Sequence, residues 1–321
     1  MKDRYGRTIN YMRISITDRC NLRCRYCMPE EIEKVPMAEI LTYEEILKIC
    51  DAGVQLGINR YKVTGGEPLV RKNCVELIDC LKSNSKVEQV TMTTNGILLA
   101  QFGKELKAAG LDGVNISLDS LDRATYQRIT GYDCLTQVMA AIEQMISLQI
   151  PVKINTVLQA GVNDCEWEDI VDLARQYPVA VRFIELMPIG KGRIERGVSN
   201  VELLEKIRCK YPDIHPDFRL RGNGPAHYYQ TERMQGSIGF IGAIHQNFCG
   251  TCNRLRLTAE GGLKPCLCYG PATNIKKILR NGNQAMLLHA LTDVINAKPQ
   301  KHCFDQQQEI TEVREMVRIG G

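Results

Sequence analysis

Six short β-branched runs, separated by longer amphipathic stretches, constrain the fold of this chain more than any other feature. YMRISIT (11–17), YKVT (61–64), QVTMTT (89–94), VNISL (114–118), VKINTVL (152–158) and VAVRFIEL (179–186) read as strands. The intervening segments 42–56, 71–83, 100–110, 122–129, 134–148 and 164–176 read as helices, and Thr42 with Glu45 three residues later makes a capping-box start. Strand, helix and strand in alternation builds βαβ units and hence a parallel sheet, since a parallel neighbour is reached only through a crossover. The expected fold is therefore α/β, a partial (β/α)6 TIM-like barrel over residues 1–189. In that architecture chemistry collects in the loops after the strands, at their C-terminal ends.

After Met187 the alternation stops. A Gly- and charge-rich loop leads to a helix-like stretch at 200–211, then to short glycine-rich strand-like pieces between 219 and 270, and the tail ends in MVRIGG. Residues 190–321 are expected to form a smaller C-terminal α+β domain.

The 321 residues carry 41 basic and 37 acidic side chains, a net +4 that is too mild to imply nucleic acid or a membrane surface. The N-terminus shows no apolar h-region, and no run approaches the ~18 apolar residues of a membrane span. The expected location is cytoplasmic, where thiols stay reduced and cysteine clusters read as metal ligands. Of the 14 cysteines, eight are scattered and read mostly as small buried hydrophobes; six fall in two groups.

Cys20, Cys24 and Cys27 follow the first strand with the spacing C-x3-C-x2-C. A closed zinc site wants four ligands, and no histidine occurs before His215. Three thiolates suit a [4Fe–4S] cluster with one iron left open for a small ligand. One strand later stands Thr64-Gly65-Gly66-Glu67-Pro68, whose glycines allow close backbone approach and whose Glu67 could accept from an ammonium. Near the other end, Cys249 and Cys252 form C-x2-C with Cys266 and Cys268 beyond; spacing alone leaves zinc and a second iron–sulfur cluster equally open. Arg254 and Arg256 alternate directly after that pair, so on an extended segment both face one way, as a polyphosphate would require. Lys153, inside an otherwise apolar strand, likewise asks for an anionic partner.

The first cysteine group matches the signature of the radical S-adenosylmethionine (radical SAM) superfamily. Over nearly its whole length the chain resembles the GTP 3′,8-cyclases within it, through SITDRCNLRCRYCMP, TGGEPL, TTNG, NISLD, RFIELM, CNRLRL with its distal cysteine, and Gly320-Gly321. The resemblance implies two [4Fe–4S] clusters, one on Cys20, Cys24 and Cys27 and one on Cys249, Cys252 and Cys266. It implies SAM contacts at Tyr26, Gly66, Ser117 and Met187 with Asn95 nearby, and GTP contacts at Arg13, Lys62, Thr93, Lys153, Arg254, Leu255 and Arg256, with Arg182 a further candidate. Arg13, Gly320 and Gly321 are the implied catalytic group, the tail threading into the pocket. The implied reaction cleaves SAM to a radical that takes a hydrogen from C3′ of GTP and ends in 3′,8-cyclo-7,8-dihydro-GTP. An external one-electron donor, a downstream cyclic pyranopterin-forming enzyme and a homodimer are the implied partners. Two positions depart from the family pattern: Lys62 replaces an expected arginine, and Cys268 adds a thiol that could close the second cluster. Two rival readings stand beside this one, a radical SAM peptide-modifying maturase and a non-catalytic zinc scaffold.

Overall fold

The computed structural model describes residues 1–29, 31–219, 222–245 and 248–320. The first half alternates as follows: β1 (Tyr11–Ser15), α1 (Tyr43–Gln55), β2 (Arg60–Thr64), α2 (Cys74–Ser83), β3 (Gln89–Thr94), α3 (Leu99–Ala108), β4 (Val114–Ser117), α4 (Arg123–Thr130), α5 (Leu135–Ser147), β5 (Val152–Thr156), α6 (Trp167–Gln176) and β6 (Ala180–Ile184). Then come α7 (Asn200–Lys210), β7 (His215–Asp217), β8 (His227–Gln230), β9 (Ser237–Ile241), β10 (Arg254–Leu257), β11 (Gly262–Lys264), β12 (Thr273–Asn274), α8 (Ile275–Asn281), α9 (Gln284–Asn296) and α10 (Met316–Ile319).

The six expected strands pair in chain order, all parallel, and the Thr42–Glu45 capping box is formed in both directions. Their apolar positions, among them Ile14, Val63, Met92, Ile116, Ile154 and Val181, are buried in one continuous core. Where segment 71–83 was expected to be helical throughout, α2 begins at Cys74. Pro68–Val70 form a 3-10 turn and Asn73 sits at φ 61°, a left-handed position that an α-helix cannot run through.

Beyond β6 the chain extends the same sheet on both sides. β9 adds parallel to β6 and β10 adds parallel to β1, so eight consecutive strands run parallel, flanked by the antiparallel β8 and β7 on one edge and β11 and β12 on the other. β10 brings the second cysteine group beside the loop that carries the first. α8 and α9, absent from the sequence reading, occupy 275–296. Asn274 and Asn283 cap them through Lys276 and Met286 N–H, and α9 buries Leu287, Ala290, Leu291, Val294 and Ile295 while packing on α1.

Candidate active site

Both cysteine groups open onto one cavity at the C-terminal ends of the parallel strands, with about 1670 Å3 of space between its atoms, mouth included.

In the first group one turn of chain bends back on itself: Cys27 and Met28 N–H both donate to Cys24 C=O, at 3.0 and 2.9 Å. Leu22 N–H donates to Cys20 Sγ at 3.4 Å, and Asn95 Nδ2 reaches the same sulfur at 3.7 Å while holding Asn21 Oδ1 at 2.7 Å. Tyr26 is fixed by its hydroxyl donating to Asp119 Oδ2 at 2.7 Å, and Val157 N–H donates to the other oxygen at 2.8 Å. Burial pushes the Asp119 carboxyl up to about 6. Burial also raises all three thiols, Cys27 to about 12 with the neighbouring Cys20 adding to it, and Cys24 well above its usual range with Cys27 adding to it. Three crowded thiols that resist ionisation suit a metal centre, whose positive charge draws the protons off. Among the described residues no group of three such side chains converges tightly enough for a single ion. A cubane, with an iron at each of separate corners, asks its thiolates to stand further apart. The residues fit the cluster.

The residues expected to hold SAM, Tyr26, Gly66, Ser117 and Met187, share this wall with Asn95. The glycines of TGGEP have a second role that the sequence did not reveal. A Cβ on Gly65 would stand 2.8 Å from Thr17 C=O, and one on Gly66 would collide with Arg19 C=O. Gly66 and Glu67 N–H donate to those same carbonyls, so the glycines let β2's end lie flat on the cysteine loop. Glu67 itself does not face the cavity. It is fully buried, accepting from Thr94 Oγ1 (2.8 Å), Asn95 N–H (2.6 Å) and Leu69 N–H (3.1 Å), and burial lifts its carboxyl to about 7. It positions Asn95 rather than receiving an ammonium.

In the second group Cys249, Cys252 and Cys266 line the same cavity. Burial works to raise the Cys252 thiol, but the charges of Arg254 and Lys298 outweigh it and bring it down to about 7. Cys266 is drawn well below the usual thiol range, chiefly by the hydrogen bond from Cys268. Cys268 lies 3.6 Å from Cys266, but its side chain is buried in a small apolar cluster with Ile189, Ala243, Leu267, Cys303 and Phe304, off the cavity wall. It stands behind Cys266 and does not line the cavity. Lys298 donates to Arg254 C=O (2.8 Å) and Pro265 C=O (2.7 Å), clamping β10 to the Cys266 loop. Arg7, paired with Asp3, reaches Cys249 C=O at 2.9 Å and ties the N-terminus to the other strand of this loop. Lys298, His302 and Phe248 also line the site and were not singled out from sequence. Glu185 is buried and accepts from Ile244 N–H (2.9 Å) and His245 Nδ1 (2.8 Å), tying β6's end to the loop after β9.

The cationic wall is built by register. Arg256 on β10, Arg13 on β1 and Lys62 on β2 stand abreast. Arg13, Thr93, Arg254 and Arg256 line the cavity, whereas Lys62, Lys153 and Arg182 are not part of its lining. Burial, then the nearby Arg182, Arg13 and Lys153, drive Lys62 well below its usual range; burial, then Arg13 and Arg254, do the same to Arg256. Among the described residues no carboxylate forms an ion pair with Lys62, Arg254 or Arg256. Thr93 Oγ1 and Arg182 Nε are buried without a partner there. Buried cations gathered this closely favour an anion beside them. Leu255 does not belong to the wall. Between two inward arginines it points to the opposite face of β10, into the hydrophobic core.

The C-terminal segment enters the same region. Gly320, at φ 71°, offers its carbonyl to Arg256 Nη1 at 3.1 Å, and a Cβ there would stand 2.9 Å from Ser15 Cβ. Gly321, also expected in the site, lies outside the described residues.

This architecture is that of a radical SAM enzyme. Residues 14–174 match the model of the radical SAM superfamily, and 179–304 match the Molybdenum Cofactor Synthesis C model. Streptococcus suis SuiB superposes with a TM-score of 0.64 at 13% identity over 91% of this chain and 67% of that one. The structure titled native anSMEcpe with bound AdoMet gives 0.54 at 14% identity over 88% and 83%. Over 100% of both chains, proteins named GTP 3′,8-cyclase are 42% identical in Desulforamulus reducens and 44% identical in Alkaliphilus oremlandii. The chain belongs to the GTP 3′,8-cyclase family.

Proposed function

We propose that Arg13, Arg254 and Arg256, with Thr93 beside them and Lys62, Lys153 and Arg182 nearby, hold the triphosphate of GTP at one end of the cavity. Cys20, Cys24 and Cys27 hold the SAM-binding [4Fe–4S] cluster, with Tyr26, Gly66, Asn95, Ser117 and Met187 around the SAM. Cys249, Cys252 and Cys266 hold the second cluster against the guanine. The reaction is the family's, from GTP to 3′,8-cyclo-7,8-dihydro-GTP, the first step of molybdenum cofactor biosynthesis. When bound, the first cluster and SAM supply the hydrogen-abstracting radical. The chain's own contribution is placement: paired guanidinium forks fix the phosphates, and Leu22, Ile184, Leu186 and Phe248 keep water from the reacting sugar. Residues 1–189 serve the SAM side and 190–321 the second cluster and tail, with Gly320 closing on Arg256. An external one-electron donor and a downstream cyclic pyranopterin-forming enzyme complete the cytoplasmic route. No described helix is long and apolar enough to cross a membrane.

One observation carries this reading: two three-cysteine groups and the guanidinium groups of Arg13, Arg254 and Arg256 share a single cavity. Anaerobic incubation with SAM and a reductant tests it. GTP is expected to stimulate 5′-deoxyadenosine formation and to yield the cyclised nucleotide; stimulation by a peptide instead would favour the maturase reading. A second test addresses Lys153. Gly222 adopts φ +105°, and a Cβ there would stand 2.8 Å from Lys153 Nζ, while Asn223 latches the loop to Arg60 (2.7 Å) and Gln89 (2.5 Å). Gly222→Ala introduces strain of about 1–3 kcal/mol and displaces Lys153. GTP affinity, measured by titration, is expected to fall about tenfold with iron content unchanged.

A further inference from the structure

His302 occupies a place in the second half of the site that the cysteines and arginines do not explain. The residue is 7% exposed, on the wall that carries Cys249, Cys252 and Cys266. Its backbone N–H donates to Cys249 Sγ at 3.3 Å. Its ring lies between Phe304, 4.8 Å away, and Phe248, 6.2 Å away. Phe304 N–H donates to Nδ1 at 3.3 Å, so Nδ1 is an acceptor and the proton of the neutral ring sits on Nε2. That Nε2–H is buried and has no partner among the described residues. A buried donor without an acceptor is destabilising, and a site rarely keeps one unless a ligand supplies the acceptor.

We propose that His302 Nε2–H donates a hydrogen bond to a sulfur of the second [4Fe–4S] cluster and, with its own backbone N–H on Cys249, sets that cluster's reduction potential. The proposal rests on the reading that Cys249, Cys252 and Cys266 hold a cluster. The chemistry fits: thiolate and sulfide are the acceptors a three-cysteine cluster places against this wall, and hydrogen bonds to them raise the potential by stabilising the reduced, more negative state. The two flanking phenyl rings fix the imidazole plane and keep water from competing for the donor. His302 is thus a positioning and tuning residue, not one that touches substrate.

The test uses the anaerobically reconstituted full chain with histidine labelled with 15N in the ring only. Pulsed EPR of the reduced second cluster is expected to show a weak 15N coupling and an exchangeable proton on the same nitrogen. In redox titrations, His302→Phe is expected to shift the reduced-to-oxidised ratio of that cluster about tenfold toward oxidised, equivalent to about 59 mV for one electron. His302→Gln, which keeps an N–H in reach, is expected to restore most of it. Absence of ring coupling in a protein holding about eight irons overturns the proposal while sparing the two-cluster reading. A preparation holding only about four irons overturns both. Equal shifts in the Phe and Gln variants would also overturn it, because packing alone would then account for them.

Discussion

Replacing Cys24 by alanine is expected to lower the iron content from about eight to about four per chain and to reduce 5′-deoxyadenosine formation to the level seen without enzyme. The expectation follows from how little redundancy the first site has. Three thiols of this group face the cavity, and the nearest other cysteine in sequence, Cys50, lies on the buried face of α1 in the hydrophobic core. Among the described residues the neighbouring polar groups are already engaged: Asn95 with Cys20 and Asn21, Tyr26 with Asp119, and Glu67 with Thr94 and Asn95. No side chain stands ready to replace the lost ligand. The folded chain should survive, since Cys24 lies in a loop whose turn is closed by its backbone carbonyl, and alanine keeps that carbonyl. The informative comparison is Cys268→Ala. Cys268 sits behind Cys266 and off the cavity, so this variant is expected to keep about eight irons and to alter only the properties of the second cluster. Iron analysis and the visible spectrum of both variants distinguish the outcomes. Eight irons in Cys24→Ala, or four in Cys268→Ala, would reverse the assignment of ligands.

Much of this site could be read from the chain because its chemistry follows strand ends. Cys20 to Cys27 after β1, Gly66 after β2, Asn95 after β3, Ser117 at the end of β4 and Met187 after β6 all reach one cavity once the strands are parallel and in order. What alternation could not supply was pairing across great separation. That β10 adds beside β1, and so sets Arg256 next to Arg13, joins residues more than two hundred positions apart. Local pattern carries no information on such a contact. The same holds for His302 and Lys298, whose roles appear only when the segment after α9 folds back on the Cys249 loop. α8 and α9 were within reach, having Asn caps and a helical apolar period, but the polar run around them masked the signal. The glycines of TGGEP show a different limit. Their need for close approach was visible, yet the partner they approach is the cysteine loop.

Removing Glu312 is expected to destabilise the chain by about 3–5 kcal/mol, because it strands a buried ammonium. Lys264 and Glu312 are 0% and 1% exposed and form an ion pair, and Arg314 adds a guanidinium donating to both carboxylate oxygens at 2.9 and 2.8 Å. Burial acts to raise the Glu312 carboxyl, but the bonds from Arg314 and Lys264 overcome it and hold it down at about 2. A carboxyl held below its unfolded value contributes stability above that value, near 4.5, and loses it as pH falls toward 2. The difference in stability between the parent chain and Glu312→Ala should therefore be largest between about pH 4.5 and neutrality, narrow below that as Glu312 is protonated, and narrow again toward pH 8, where burial holds the Lys264 ammonium down to about 8 and its proton can leave. Chemical denaturation at several pH values measures this, and a difference that widens in acid would refute it. The functional consequence follows from position. Glu312 starts the segment that ends at Gly320: its N–H donates to Cys268 C=O at 3.1 Å, its carbonyl accepts from Arg193 at 3.0 Å, and Glu315 then holds Lys191 N–H at 3.0 Å. Alanine keeps the two main-chain bonds but loses the side-chain clamp to Lys264 and Arg314, which loosens the strap that carries Gly320 to Arg256. Cyclised product should fall while both clusters remain, which separates an unpinned tail from a damaged cluster site.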